Sequence, residues 1–224
     1  VAGIAKGSGM IEPDMATMLA FILTDARATP AFLRGVLRGA ADASFNRVSV
    51  DGEGSTSDTL LLLANGAAGN PVLRGARSPG AAAVRNAVEE VATALARDLA
   101  RDGEGATKLV DVRVTGARNA GEADRAARRI ANSLLVKTAI FGGDANWGRV
   151  LQTLGAGRVA LRLDRTVVRL GGIAVFRNGA SPGAGARRRA AARLARPEIE
   201  IAVDLGAGRA SARMWTCDLS YDYV

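Results

Sequence analysis

Histidine is absent from all 224 residues, and cysteine occurs once, at Cys217. The first absence removes Ser-His-Asp and Cys-His catalysis and every histidine-based metal site, so any nucleophile in this chain needs another base. The second excludes a disulfide within the chain and points to a reducing, cytoplasmic setting. Aromatic residues are few, nine in all, which leaves little for base-stacking platforms. No stretch approaches the roughly 20 apolar residues that cross a bilayer, so no membrane partner is expected. No signal peptide opens the chain; it begins at Val1 and reads as a piece of a longer polypeptide.

Lysine is also scarce. The chain carries 30 basic residues against 22 acidic ones, a net charge of +8, yet only Lys6, Lys108 and Lys137 are lysines. A composition that uses arginine almost everywhere has kept lysine where a compact point charge fits and a guanidinium fork does not. The one dense basic run, Arg187-Arg188-Arg189 followed by Arg193 and Arg196, sits in an alanine-rich stretch. It reads as the solvated face of a helix rather than a nucleic-acid surface, and no nucleic-acid partner is expected.

What is present organises into two parts. A hydrophobic fraction of 48% suffices for one large core or two smaller ones. Residues 1–14, with Gly3, Gly7 and Gly9, read as extended chain and a tight turn. Residues 18–24 form an apolar run with the look of a buried strand, and Thr29-Pro30 supplies an N-cap and first-turn proline for a helix ending near residues 42–44. Residues 59–64, with four consecutive leucines, fit a buried strand or the start of a buried helix equally well. Val84, Val88, Val91, Leu95 and Leu99 recur at steps of three and four and predict a long helix. Beyond Asp102-Gly103-Glu104-Gly105 the pattern turns strand-rich. It alternates over 109–115, reads as one helix over 121–135, as strands over 158–170, 172–176, 198–205 and 209–219, and as a helix over 187–196. A domain boundary is expected near 103–108, dividing layered helix-and-strand packing from a two-layer unit.

Four segments are candidates for chemistry. Lys6-Gly7-Ser8-Gly9 is a glycine-rich turn beside a lysine, with neither Walker A nor dinucleotide spacing. The polar loop 51–58 opens with carboxylates at the alternate spacing of a calcium loop but lacks the later ligands, so no metal is expected there. Asn146-Trp147-Gly148-Arg149 is distinctive but suggests only a helix end and a buried tryptophan. Ala16-Thr17 is, on pattern alone, a threonine favoured by a neighbouring strand. It becomes a nucleophile only if the chain breaks before it. Attack of the Thr17 hydroxyl on the Ala16 carbonyl, followed by hydrolysis, would leave a free α-amine beside that hydroxyl as its own general base. Such an amine has an ordinary pKa of about 7.7–8.0.

Lys6 through Phe21 (KGSGMIEPDMATMLAF) resembles the processing site of ornithine acetyltransferase, the bifunctional glutamate N-acetyltransferase family. Three further segments agree in order: VDGEGSTSDTL from Val50, with Asn65-Gly66; DGEGATKLV from Asp102; and ANSLLVKTAIFGGDANWGR from Ala131. The resemblance implies an α+β fold, with a layered α/β/β/α sandwich portion over residues 1–105 and a smaller two-layer α/β domain over 106–224. It implies self-cleavage between Ala16 and Thr17, with Thr17 then carrying acetyl as an ester. Lys6 would meet a substrate α-carboxylate and Glu104 an ammonium group. The reaction would be a ping-pong transfer of acetyl from N-acetylornithine to glutamate in arginine biosynthesis, with acetyl-CoA a possible further donor and neither metal nor bound cofactor needed. In that family an upstream segment supplies the oxyanion hole, an Asn and a Thr beyond the position of Val224 help bind substrate, and Asn is common where Asp14 stands. The implied assembly is a hetero-oligomer of two cleaved halves, the upstream segment being the other half. A self-processing N-terminal-nucleophile aminopeptidase or amidase is the alternative from the same Thr17 chemistry, and a basic nucleic-acid-binding module is the non-enzymatic one.

Overall fold

The computed structural model describes residues 1–12, 18–54 and 57–224, which fall into two compact units, 1–102 and 103–224. The division comes between Asp102 and Gly103 rather than after residue 105, so Glu104 belongs to the second unit.

The first unit is a three-stranded sheet with two helices on one face. Strand β1 (Ala2–Lys6) pairs antiparallel with β2 (Leu19–Thr24), which pairs parallel with β3 (Thr59–Ala64). Helix α1 (Pro30–Ala43) starts as the sequence predicts, with the Thr29 side chain accepting from the Phe32 N–H and proline in the first turn. Helix α2 (Ala81–Arg101) buries Val88 and Leu99 of the expected stripe, together with Ala92 and Ala96. The alanines and a glycine let helix and sheet approach closely. A Cβ on Gly3 would stand 2.8 Å from Val91 Cγ1 and 2.9 Å from Leu95 Cδ1.

Residues 59–64 form a strand, which resolves the choice left open by periodicity, but neither β2 nor β3 is fully buried. Ala20 and Ile22 point to the helices and are wholly inaccessible, while Ile4, Leu23, Leu61 and Leu63 on the other face are 42–67% exposed. The strand registers place Ala2, Leu19 and Phe21 on that same open face.

The second unit is a five-stranded sheet in the order β6-β5-β7-β4-β8, with helices packed on it. Its strands are β4 (Leu109–Ala117), β5 (Val167–Leu170), β6 (Ile173–Phe176), β7 (Glu198–Asp204) and β8 (Ala210–Cys217). Only the β4–β7 pair is parallel. Val110, Val112 and Val114 join Ile199, Ile201, Val203 and Met214 in the core, whereas Asp111 on the opposite face takes a two-pronged ion pair from Arg213 at 2.6–2.7 Å.

Two predicted elements are corrected here. The helix read over 121–135 is two helices, α3 (Ala120–Ala131) and α4 (Leu134–Phe141). Ser133 breaks it by capping the second helix, accepting from the Val136 N–H. The strand read over 158–170 is confined to β5, because Thr166 turns the chain back on Arg162 through both its N–H and its hydroxyl. Asn146 caps α5 (Trp147–Ala156), so the distinctive segment is a helix start rather than a helix end. Trp147 is half-buried and stacks on Phe176 at a centroid distance of 4.9 Å, and Arg149 donates to Leu135 O at 2.7 Å. The arginine run lies on α6 (Ala184–Leu194), with Arg187, Arg188 and Arg189 exposed. Among the described residues no helix is long and apolar enough to cross a membrane.

Glu122, 1% exposed, ties the start of α3 to the loop that follows α5. Its carboxylate accepts from the Arg118 guanidinium at 2.8 Å, from the Arg118 N–H at 3.0 Å and from the Ala160 N–H at 3.1 Å. The Arg118 hydrogen bonds lead in holding its pKa at about 2, against the burial that would raise it. A lowered folded-state pKa stabilises the fold above the unfolded value of 4.5, and that contribution is lost as pH falls from there through about 2. Urea unfolding at pH 7 should show Glu122→Gln less stable by about 1–3 kcal/mol. The gap between variant and wild type should narrow when the titration is repeated near the bottom of that window.

Candidate active site

Ala16 and Thr17, with Pro13, Asp14 and Met15, lie outside the described residues, as do Ser55 and Thr56. The residues on either side of 13–17 are anchored to residues 50–59, and that anchoring is the main feature of the site. Ile11 is 4% exposed, donates its N–H to Asp51 Oδ1 at 3.0 Å and accepts from the Val50 N–H at 2.7 Å. Met18 is 6% exposed, donates to Asp58 Oδ1 at 2.8 Å and accepts from the Thr59 N–H at 2.9 Å. Both carboxylate bonds join residues 40 apart in sequence, the same offset that pairs Leu19 with Thr59 and the rest of β2 with β3. The two bonds therefore tie Ile11 to Asp51 and Met18 to Asp58 at one common offset.

Asp51 is fully engaged. Its Oδ2 accepts from Met10 N at 2.7 Å, and its Oδ1 also accepts from Glu53 N at 3.2 Å. Met10 has a φ of 52°, a left-handed conformation that costs a non-glycine residue energy and that the Asp51 bond helps to hold. Asp58 differs. Among the described residues only its Oδ1 accepts a hydrogen bond; Oδ2 is buried and meets no donor among them. Burial raises the Asp58 pKa, with the Met18 N–H acting in the opposite direction.

Lys6 ends β1 in register with Leu19, which in turn pairs with Thr59. The lysine thus sits at the sheet end where the chain enters β2 from Thr17. It is exposed and borders a cavity of about 480 Å³ together with Ser8, Asp98 and Arg101. Lys6, Ser8 and Arg101 supply donors suited to a carboxylate, while the Asp98 carboxylate accepts from Arg101.

The other two lysines serve the second unit. Lys108 Nζ donates to the Ile140 and Phe141 carbonyls at 2.9 Å each, closing the C-terminus of α4. Lys137, 2% exposed, reaches Thr216 Oγ1 at 3.0 Å and Cys217 O at 2.5 Å. Of the three lysines, only Lys6 is exposed.

Glu104 occupies a turn of the second unit closed by the Ala106 N–H on Gly103 O at 2.9 Å, and it is exposed. Gly105 follows at φ 64°, and a Cβ there would collide with the backbone nitrogen of Tyr223. The turn is bound by residues near the chain's end. Ser220 donates its hydroxyl to Gly105 O at 2.5 Å, and Asp218, 1% exposed, accepts from Thr107 N at 2.8 Å, Lys108 N at 2.9 Å and the Thr107 hydroxyl. Neither the two clamps of the first unit nor Asp218 carries a sequence signal of its own, since each depends on contacts 40 or more residues away.

The whole chain, residues 1–224, matches the model of the ArgJ family. It is 49% identical over 224 residues to the arginine biosynthesis bifunctional protein ArgJ of Geobacter sulfurreducens, covering 100% of this chain and 57% of that protein. It is 47% identical over 226 residues to the glutamate N-acetyltransferase of Methanopyrus kandleri, covering 99% of this chain and 57% of that protein. The chain spans about half the length of the relatives it matches. Among solved structures, an arginine biosynthesis bifunctional protein from Bacillus halodurans superposes with a TM-score of 0.85 at 38% identity, over 91% of this chain and 95% of that one.

Replacing Asp218 with alanine should cost about 1–3 kcal/mol by stranding the Thr107 and Lys108 N–H groups. Hydrogen exchange is the sensitive readout. The amides of Thr107 and Lys108 should lose protection, whereas protection equal to wild type would mean that the Ser220 bond alone holds the turn.

Proposed function

The chain belongs to the ArgJ family, and on that footing we propose that it carries the nucleophile of an amino-acid N-acetyltransferase of arginine biosynthesis. In this reading the bond between Ala16 and Thr17 is cut by the Thr17 hydroxyl, and the freed α-amine then serves that hydroxyl as base. N-acetylornithine gives its acetyl group to Thr17 Oγ and leaves as ornithine. The glutamate amine then takes the acetyl from the ester. Lys6 meets the substrate α-carboxylate and Glu104 an ammonium group. Acetyl-CoA is a second possible donor to the same ester.

The observation that carries the reading is the double clamp. Asp51 and Asp58 fasten the chain on either side of residues 12–17. An N-to-O acyl shift needs its reacting atoms held in a near-attack geometry, and anchoring both ends of so short a segment is a means to that. The location of Lys6 at the same sheet end supports its part.

The open face of the three-stranded sheet supports the upstream segment as the other half. Seven apolar residues, Ala2, Ile4, Leu19, Phe21, Leu23, Leu61 and Leu63, share that face. A second sheet from upstream, laid on these side chains, completes the α/β/β/α sandwich and brings the oxyanion-hole donors. Covering an exposed Leu or Ile is worth about 1.5–3 kcal/mol each, enough to hold two cleaved halves together without a covalent link.

Two measurements test the reading. Intact mass of the full-length polypeptide should show two fragments meeting before Thr17, and one uncut chain for Thr17→Ala. Supplied with N-acetylornithine and glutamate, the cut protein should form acetylglutamate faster than it releases acetate, and Thr17→Ala should lose at least about 10⁴-fold in that rate. Acetate alone would assign the amidase alternative, and an uncut wild type with full transferase activity would remove Thr17 from the mechanism.

A further inference from the structure

The first unit holds an apolar cavity of about 330 Å³ that the acetyl-transfer reading does not use. Its interior is built by Leu37 and Ala41 of α1, Phe45 and Val48 just after that helix, Leu60 of β3 and Leu99 of α2. Phe45, Val48 and Leu99 are at most 7% exposed, and these six side chains offer no polar atom to a ligand. A charged tail buried among them loses its water without replacement, so glutamate and ornithine are poor occupants. Size sets a second limit. Ligand sites run from about 300 to 1,000 Å³, and a cavity at the low end takes a small molecule rather than a coenzyme or a long acyl chain.

The rim is charged, and with both signs. Arg34, Arg38 and Asp42 border the cavity at four-residue spacing along α1, which makes them one row with about 5–6 Å from each to the next. All three are exposed, and neither arginine forms an ion pair or side-chain hydrogen bond among the described residues. Asp42 Oδ1 accepts from Asn46 Nδ2 at 2.9 Å, which orients the carboxylate. Glu12, the remaining charged residue on the cavity, already has a partner. Groups suited to a carboxylate and to an ammonium thus stand one helical turn apart beside an apolar pocket.

We propose that this cavity binds a free α-amino acid with an apolar side chain, using charged groups other than those assigned to acetyl transfer. Arg38 and Arg34 take its carboxylate, Asp42 takes its ammonium, and the apolar interior takes its side chain. Charge complementarity selects this occupant, since a plain anion leaves Asp42 unused and a plain amine meets two arginines. The cavity wall also includes Ile11 and Met18, the residues anchored to Asp51 and Asp58. A bound amino acid packs against both and braces the two anchors. The site stands on this geometry and is independent of the Thr17 reading.

Calorimetric titration of the full-length protein with L-leucine and L-phenylalanine tests the proposal. At least one should bind with a Kd of about 1 mM or tighter. Analogues of the tighter ligand that lack the amine or the carboxylate (4-methylpentanoate and 3-methylbutylamine for leucine) should bind at least about 10-fold more weakly. The amino acid itself should lose at least about 10-fold in affinity for Arg38→Gln and for Asp42→Asn, and its effect on Tm should shrink in both. Slower exchange of the Ile11 and Met18 amides with ligand present places it in this cavity, whereas unchanged exchange at both places it elsewhere and overturns the proposal. Failure of both amino acids to bind also overturns it, as it would if the upstream portion fills the cavity. So does a deaminated analogue that binds as tightly as the amino acid, which would make the cavity a site for plain anions. If a variant does not fold, the analogue series on wild type decides. Acetylglutamate formation without added ligand should be the same in wild type and both variants, and its absence from a wild type that binds the amino acid counts against the Thr17 reading alone.

Discussion

A β-sheet has two faces, and the two helices of the first unit cover one of them. On the covered side the fit is close, with Gly3 against Val91 and Leu95 and with Ala20 and Ile22 sealed from solvent. On the other side leucine, isoleucine and phenylalanine face outward across all three strands. Much else follows from this asymmetry. The strands carry apolar side chains on both faces, and Lys6 lies at the end of the sheet where β2 and β3 begin side by side. The parallel pairing carries the same register back from the strands to the two carboxylate clamps.

Local features were legible wherever a few neighbouring residues decide the structure. Thr29 and Pro30 specify the start of α1 through one side-chain bond and one fixed dihedral, and the alternation of β4 separates Val112 and Val114 from Asp111 and Arg113. The errors have physical causes as well. An apolar run states that a strand wants to be buried but not which chain will bury it, so residues 18–24 and 59–64 read as buried while half their side chains face outward. The helix predicted over 121–135 kept its apolar pattern across Ser133, whose preference for a cap outweighed the periodicity. Thr166 ended the predicted 158–170 strand through bonds to Arg162 that a two-residue pattern does not register.

The candidate site was legible as residue types more than as geometry. Lys6 and Glu104 were named from the family's motifs, and the scarcity of lysine pointed to all three lysines alike. Two of the three turn out to bind backbone carbonyls in the second unit, a task for a flexible point charge. Asp51 and Asp58 were weighed as metal ligands and set aside. Their use as acceptors for the Met10, Ile11 and Met18 N–H groups depends on a pairing across 40 or so residues that exists only once the parallel strands have formed. Glu104 likewise takes its position from Asp218 and Ser220, more than a hundred residues further on.

The open sheet also bears on how this polypeptide behaves when handled by itself. Strands β1 and β3 are the two margins of the three-stranded sheet, and each offers a row of backbone groups beside the uncovered leucines. A bare margin next to a greasy face is a template on which further copies can stack strand to strand. Produced without the portion its relatives carry in addition, such a chain is a candidate for clumping during purification. Co-expression with that portion is the more promising route to well-behaved material.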